Sequence, residues 1–296
     1  MKRNSSALCA LLALLTALLP AVVVAGDMEL PKEVAAKASV VRADRDGKWE
    51  KTLVVQFPQR RRVLSTNDGV VDVMAVANHA AQPELWTSVD DTMKTSHESG
   101  GKVYMRMIRE RTAQRLGIRA EDITIMGTAA DMDNVAVVTK TFGPFVVTAL
   151  VTAGARDNAI RTGVDQGAYI EPDPAAASPS AAKEPKAGTI NIVVITNARV
   201  TDGGLARAVI TATEAKTAAL EDLHVQSTYT KGVQATGTGT DSMLVVSGVS
   251  APLVTYTGGH SRIGELVGKA VYEAVLEALE KQNGFHKSPT GPGGGR

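Results

Sequence analysis

The chain has 296 residues, 44% of them hydrophobic, enough for one large domain or two small ones with an ordinary core. Aromatic residues make up only 4%, so that core has to be aliphatic and alanine-rich. A formal net charge of +1 gives no electrostatic footprint for nucleic acid.

The N-terminus reads as an export signal. Lys2-Arg3 precede an apolar run from Ala7 to Val24, broken at Pro20 and ending in the small-residue site Val23-Val24-Ala25. Cleavage is expected after Ala25, delivering the chain to the periplasm. The run is marginal in length for a span, so no stable membrane anchor is expected after processing. Removing residues 1–25 takes the net charge from +1 to −1 and takes away Cys9, the single cysteine. A mature chain from residue 26 then has no disulfide, no cysteine nucleophile and no thiolate metal site.

A charged turn at 44–48 precedes a strand over Thr52–Phe57, and a second strand is expected at Arg62–Ser65. Thr66-Asn67-Asp68-Gly69 is a turn signal, in which Asn and Asp bond back to the backbone and Gly supplies positive φ. Val70–Asn78 is another apolar strand. A helix follows over Thr92–Leu116, weakened by Gly100-Gly101 and stopped by Gly117. Ile123–Met126 leads into Gly127-Thr128-Ala-Ala-Asp131, and Val135–Lys140 and Phe145–Val151 are β-rich. Residues 171–187 form a Pro/Ala linker, and the tail over 284–296 is Gly/Pro-rich; both are expected to be disordered.

After the linker comes the strand Thr189-Ile-Asn-Ile-Val-Val-Ile-Thr196, which ends at Asn197. A helix capped by Asp202 is expected over residues 203–223, with Leu205, Val209, Ala212, Leu220 and Leu223 as its apolar stripe. Lys216 falls inside that stripe and Glu214 points the opposite way. Lys216 is either a snorkelling lysine or a desolvated, anion-paired one in a pocket. Glu214 is a solvated helix residue unless both faces of the helix are covered.

Thr236-Gly-Thr-Gly-Thr240, which carries Thr238 and Thr240, admits close backbone approach at its glycines and runs into Asp241 and the strand Ser242–Val246. It is either a bulged strand entry or an anion-facing loop, and it lacks the Gly-Lys-Ser/Thr ending of a phosphate loop. Thr257-Gly258-Gly259-His260 enters a helix capped by Ser261, with Glu265 in its first turn. His260 at that N-terminus is either a polar cap or a base beside oxyanion-binding N–H groups. Of the other histidines only His79, beside Asn78, is placed to join a site.

The fold class is therefore α/β, a mixed β-sheet flanked by long helices. One domain is expected over residues 26–283. Both segments, 50–170 and 188–283, run from a strand ending at Asn (Asn78; Asn197) through a long helix to Gly-Thr-x-x-Asp and a Thr-x-Gly turn. That shared order suggests an internal duplication about a pseudo-two-fold.

At these residues the sequence resembles the adenosylcobinamide amidohydrolase family. The matching pieces are Leu64-Ser65 with its Asn/Gly turn, Thr152-Ala-Gly154 with Asn158 and Gly163, and Gly188-Thr-Ile-Asn191. The strongest are Glu214-Ala-Lys216, Ala235-Thr-Gly-Thr-Gly-Thr-Asp241 and Tyr256-Thr-Gly-Gly-His260; the whole spans about residues 60–282. The resemblance implies hydrolysis of the amide joining the corrin propionate arm to aminopropanol, giving adenosylcobyric acid.

The corresponding expectation is that His260, supported by Asp241, activates water or the hydroxyl of Thr238 or Thr240. N–H groups near Gly258 and Gly259 bind the oxyanion, Glu214 and Lys216 transfer protons or hold amide arms, and Asn158 and Asn197 bind those amides. No metal or other cofactor is required in this scheme; the cobalt corrinoid enters as substrate, and a homo-oligomer is left open. Two rivals remain. One is an exported corrinoid-binding protein without chemistry, with His260 as a cobalt ligand. The other is an amidase that cuts itself before Thr189 or Thr238.

Overall fold

The computed structural model describes residues 22–86, 100–167, 187–250 and 252–287. The Pro/Ala linker over 171–186, the tail beyond 287 and the signal segment up to residue 21 lie outside the described residues. Eleven strands are described: β1 Val22–Met28, β2 Lys37–Arg45, β3 Lys48–Ser65, β4 Gly69–Ala81, β5 Ile123–Thr128, β6 Ala136–Phe142, β7 Phe145–Ala153, β8 Ile190–Thr196, β9 Arg199–Val200, β10 Ser242–Val246 and β11 Leu253–Val254. The long helices are α1 Gly100–Leu116, α2 Asp202–Asp222 and α3 Arg262–Asn283.

The main sheet runs β1-β2-β3-β10-β8-β7-β6, with β4 on β3 and β5 on β4. Its pivot is β3. One half pairs with β2 through a two-residue turn, Asp46-Gly47, in which both φ are positive, as a tight hairpin requires. The other half pairs with β10. Sequence reading gives two strands here, Thr52–Phe57 and Arg62–Ser65, but the chain stays extended through an irregularity between Gln56 and Arg61. That bulge bends one strand instead of ending it.

The bend curls the sheet so that its two wings face each other. Leu53, Val55 and Val76 of one wing pack with Leu150, Val193 and Leu244 of the other. On the outer face of the first wing, Tyr104 and Ile108 of α1 cover Ala75 and Ile125. On the outer face of the second, Leu205 and Leu220 of α2 and Val267 and Val271 of α3 cover Val151 and Ile192. The result is a helix–sheet–sheet–helix layering of the α/β class. Each large aliphatic side chain buried this way contributes about 1.5–3 kcal/mol.

Arg61, at the bulge, is 1% exposed. Its guanidinium donates to Ser247 O (2.5 Å), Thr196 O (2.9 Å) and Val34 O (3.1 Å), tying β3 to the ends of β8 and β10. Burial without a carboxylate pulls its pKa down to about 10.

Several local expectations change. Thr201, not Asp202, caps α2, accepting from Gly204 N at 3.2 Å, while the Asp202 carboxylate is taken by Arg62. In the β3–β4 turn the back-bonding side chain is Ser65, whose hydroxyl accepts from the Asn67 and Asp68 amides. The helix expected over Thr92–Leu116 is described only from Gly100 onward.

The duplication is not seen in the topology. Both segments hold a parallel β-α-β unit, β4–α1–β5 and β8–α2–β10. However, Gly127-Thr128 closes β5 whereas Gly237-Thr238 precedes β10, and β6 and β7 share a wing with β8 and β10.

Candidate active site

The curl brings the end of β5 and the end of β7 against the amino ends of β8 and β10. Asn191 of β8 donates to Gly127 O (2.9 Å) and to Asn78 Oδ1 (2.8 Å), and Asn78 Nδ2 donates to Thr152 Oγ1 (2.8 Å). All three side chains are nearly fully buried, and their mutual bonds meet the requirement that buried polar groups be paired. This seam leads to the turn ahead of β10.

There Lys216, buried on the inner face of α2, forms an ion pair with Asp241 Oδ2. The lysine in the apolar stripe is thus the anion-paired one. Asp241 Oδ1 accepts from Ile190 N (3.1 Å), from Thr238 N (3.3 Å) and from the Thr238 hydroxyl. Thr240 donates from its hydroxyl to Gly188 O at 3.1 Å. Thr189 donates to Thr240 O (2.8 Å) and more weakly to Asn191 Oδ1 (3.3 Å).

A Cβ at Gly237 would lie 2.4 Å from Asp241 Oδ2 and 2.7 Å from Lys216 Nζ, so a side chain there would displace the tips of the pair. A cavity of about 60 Å³ opens on the pair, lined by Thr66, Ile190, Thr213, Lys216, Asp241 and Ser242. Thr66 also lines a larger cavity of about 840 Å³, between the β3–β4 turn and α1, walled by Asp68, Trp86, Lys102, Arg109 and Gly127.

Lys216, Asp241, Thr238, Thr240 and Asn158 therefore converge. Asn158 is 1% exposed and donates through Nδ2 to Gly188 O, the carbonyl that Thr240 also holds. The other candidates lie elsewhere. Glu214 is exposed and lines, with Gly259, a groove of about 410 Å³ between α2 and α3. His260 is exposed beyond the far end of β10, on a loop where Thr257 O accepts from Thr211. Thr211 and Lys216 are five residues apart on α2, about 7.5 Å along its axis. Asp241 is paired with Lys216, whereas His260 stands exposed just ahead of α3. Gly258 presents its carbonyl to Ser261. Asn197 is committed to the β6–β7 hairpin, through Val146 N and Pro144 O. His79 is fully buried behind the sheet, between Thr52 (2.8 Å) and Tyr104 (3.0 Å).

Thr189 and Asn191 stand in the sequence only as a cleavage point and as part of the family resemblance, not as residues of the site, and Thr66 only as part of a turn. A signal for the first two exists: Thr189 and Asn191 are polar at i and i+2 of an otherwise apolar strand, which places both on one buried face. Among the described residues no group of three or more His, Cys, Asp or Glu side chains is arranged to hold a metal ion. No described helix is long and apolar enough to cross a membrane.

Fold and site together define a layered α/β protein with a buried, charge-balanced polar centre at the seam of a curled sheet. The chain belongs to the adenosylcobinamide amidohydrolase family, whose profile matches residues 33–287. It is 42% identical over 236 residues to an uncharacterized protein of Methanocaldococcus jannaschii, across 79% of this chain and 87% of that one. A Methanosarcina mazei protein named adenosylcobinamide amidohydrolase is 35% identical over 104 residues, 32% of this chain and 48% of that relative. A crystal structure of a Pyrococcus horikoshii protein aligns over 88% of this chain and 83% of its own at a TM-score of 0.39 and 10% identity.

Proposed function

We propose that this chain hydrolyses the aminopropanol amide of adenosylcobinamide or a related corrinoid, and that the reaction takes place at the Lys216–Asp241 centre. Family membership supplies the reaction class. The observation that carries the location is the buried ion pair opening on a cavity, with threonine hydroxyls bonded around it. Amide hydrolysis needs a hydroxyl nucleophile, a group to manage its proton and a cation to offset developing negative charge. Threonine, Asp241 and Lys216 are those three groups. The larger cavity, which shares Thr66 as a wall with the smaller one, has room for part of a bulky corrinoid, and its amide arms match polar walls such as Asp68 and Lys102.

The export pattern at Lys2–Ala25 supports a periplasmic location. Cleavage after Ala25 would shorten β1, whose Val22–Ala25 pair with Val40–Ala43.

The test is incubation of purified protein with adenosylcobinamide, following released 1-amino-2-propanol and adenosylcobyric acid by mass spectrometry. Release of both supports the reading. Tight corrinoid binding with no release replaces it with capture alone.

A further inference from the structure

The peptide bond between Gly188 and Thr189 is arranged like a substrate. Its carbonyl oxygen accepts from two side chains at once, the Asn158 amide and the Thr240 hydroxyl at 3.1 Å. Two donors on one carbonyl oxygen are what stabilises a tetrahedral oxyanion. Gly188 has φ of +144°, a conformation open to glycine, and a Cβ there would lie 2.4 Å from Asn158 Oδ1 and 2.8 Å from Gly154 O. The next residue carries a hydroxyl, 4% exposed and held at 2.8 Å from Thr240 O. On the far side the bond is clamped by Gly154 N to Thr189 O (2.9 Å) and by Ile190 N to Asp241 Oδ1 (3.1 Å). Asn158 Oδ1 is buried with no hydrogen-bond partner, an acceptor left waiting beside the bond.

We propose that the chain cleaves itself between Gly188 and Thr189. Thr189 Oγ attacks the Gly188 carbonyl carbon, the oxyanion is held by Asn158 and Thr240, and the C–N bond breaks as the hydroxyl proton passes to the Thr189 nitrogen. The product is an ester between Gly188 and the Thr189 side chain, with a free α-amine on Thr189. One water hydrolyses the ester, leaving a carboxylate on Gly188 and restoring the hydroxyl. No oxidant or further reactant is needed. Departure of Gly188 gives Asn158 Oδ1 access to the new amine.

A second consequence rests on the amidohydrolase reading above. The freed Thr189 has its own amine as base for its own hydroxyl, the arrangement by which an N-terminal threonine becomes a nucleophile. It sits one residue from the Ile190 amide that Asp241 accepts, so the Lys216–Asp241 pair flanks it. Thr189 would then be the attacking group toward the corrinoid amide.

Intact-mass measurement and a denaturing gel of the purified full chain test the cleavage with no corrinoid present. The expected result is two fragments, the second beginning at Thr189, with masses summing to the whole chain plus one water. Thr189→Ala should stay whole and still fold, as judged by circular dichroism, Thr189→Ser should still cleave, and Asn158→Leu should slow cleavage at least tenfold. A wild-type chain that stays whole overturns the proposal, as does a fragment starting elsewhere or cleavage that persists in Thr189→Ala. Assaying the same preparations on adenosylcobinamide separates the two readings. Cleaved but inactive protein contradicts the amidohydrolase reading alone, and whole but active protein contradicts self-cleavage alone.

Discussion

Lys216 of α2 and Asp241 at the entry to β10 form an ion pair, with the lysine side chain 9% exposed and the aspartate 19%. Their position is set by the β8–α2–β10 crossover, which carries the helix back across the sheet to the amino ends of the two parallel strands. Ligand sites in open α/β sheets ordinarily lie at the carboxyl ends. Here the curl of the sheet, with β5 and β7 closing over the amino ends, builds the polar seam on the other side.

Breaking that pair from one side leaves a largely buried carboxylate without its counter-charge. Lys216→Met is expected to cost about 1–3 kcal/mol, at the low end for a buried pair because Asp241 keeps some solvent contact. The double variant Lys216→Met/Asp241→Asn should recover most of that loss in urea unfolding, while amide hydrolysis stays absent in both. A double variant no more stable than the single one contradicts the burial cost assigned to Asp241.

Gly237→Ala separates chemistry from folding. The new methyl meets the tips of Lys216 and Asp241, two side chains free to move, and no backbone atom is among its close contacts. The protein should fold with a melting temperature within a few degrees of wild type and lose at least tenfold in kcat. Equal rates in the two proteins would show that the pair need not be intact.

Much of this was legible in the chain, and the failures have physical causes. The burial of Lys216 and exposure of Glu214 follow from helical periodicity, a local property. The Ser261 cap of α3 is equally local. The strands expected at Thr52–Phe57 and Arg62–Ser65 are one strand because the residues between them, Pro58 included, fall in the bulge, where no ladder bond is required. The grouping of Asp241 with Lys216 in place of His260 depends on strand order and on where α2 ends, and both are long-range. His260 stands exposed just ahead of the Ser261 cap of α3.

Arg61 is expected to hold the two wings together. Arg61→Met removes the donor from three buried carbonyls on separate segments, those of Val34, Thr196 and Ser247. A loss of about 2–5 kcal/mol is expected, a fall of roughly 5–15 °C in Tm for a domain of this size. Calorimetry showing a change of only a degree would mean that water or neighbouring groups replace the guanidinium.

His79 should make the fold acid-sensitive. Burial lowers its pKa to about 3, with the Arg45 charge adding to the shift. A depressed pKa means the folded state holds the neutral imidazole. Its contribution is therefore complete above the unfolded pKa of about 6.5 and is lost as pH falls from there toward 3. Glu50, whose pKa is raised by burial, titrates nearby with the opposite sign, so the comparison is with His79→Gln, which leaves Glu50 in place. The stability difference between wild type and variant should shrink between pH 7 and pH 4. A constant difference across that range contradicts the buried neutral imidazole.

The most direct measurement compares wild type, Asp241→Asn and His260→Ala on adenosylcobinamide, quantifying released 1-amino-2-propanol at matched protein stability. The expected result is release by wild type and His260→Ala at rates within about threefold, with Asp241→Asn slowed by at least a hundredfold, the order of one lost acid–base group. Full activity in Asp241→Asn together with loss in His260→Ala would move the reaction to the exposed helix entrance and contradict a reaction centre at Lys216 and Asp241.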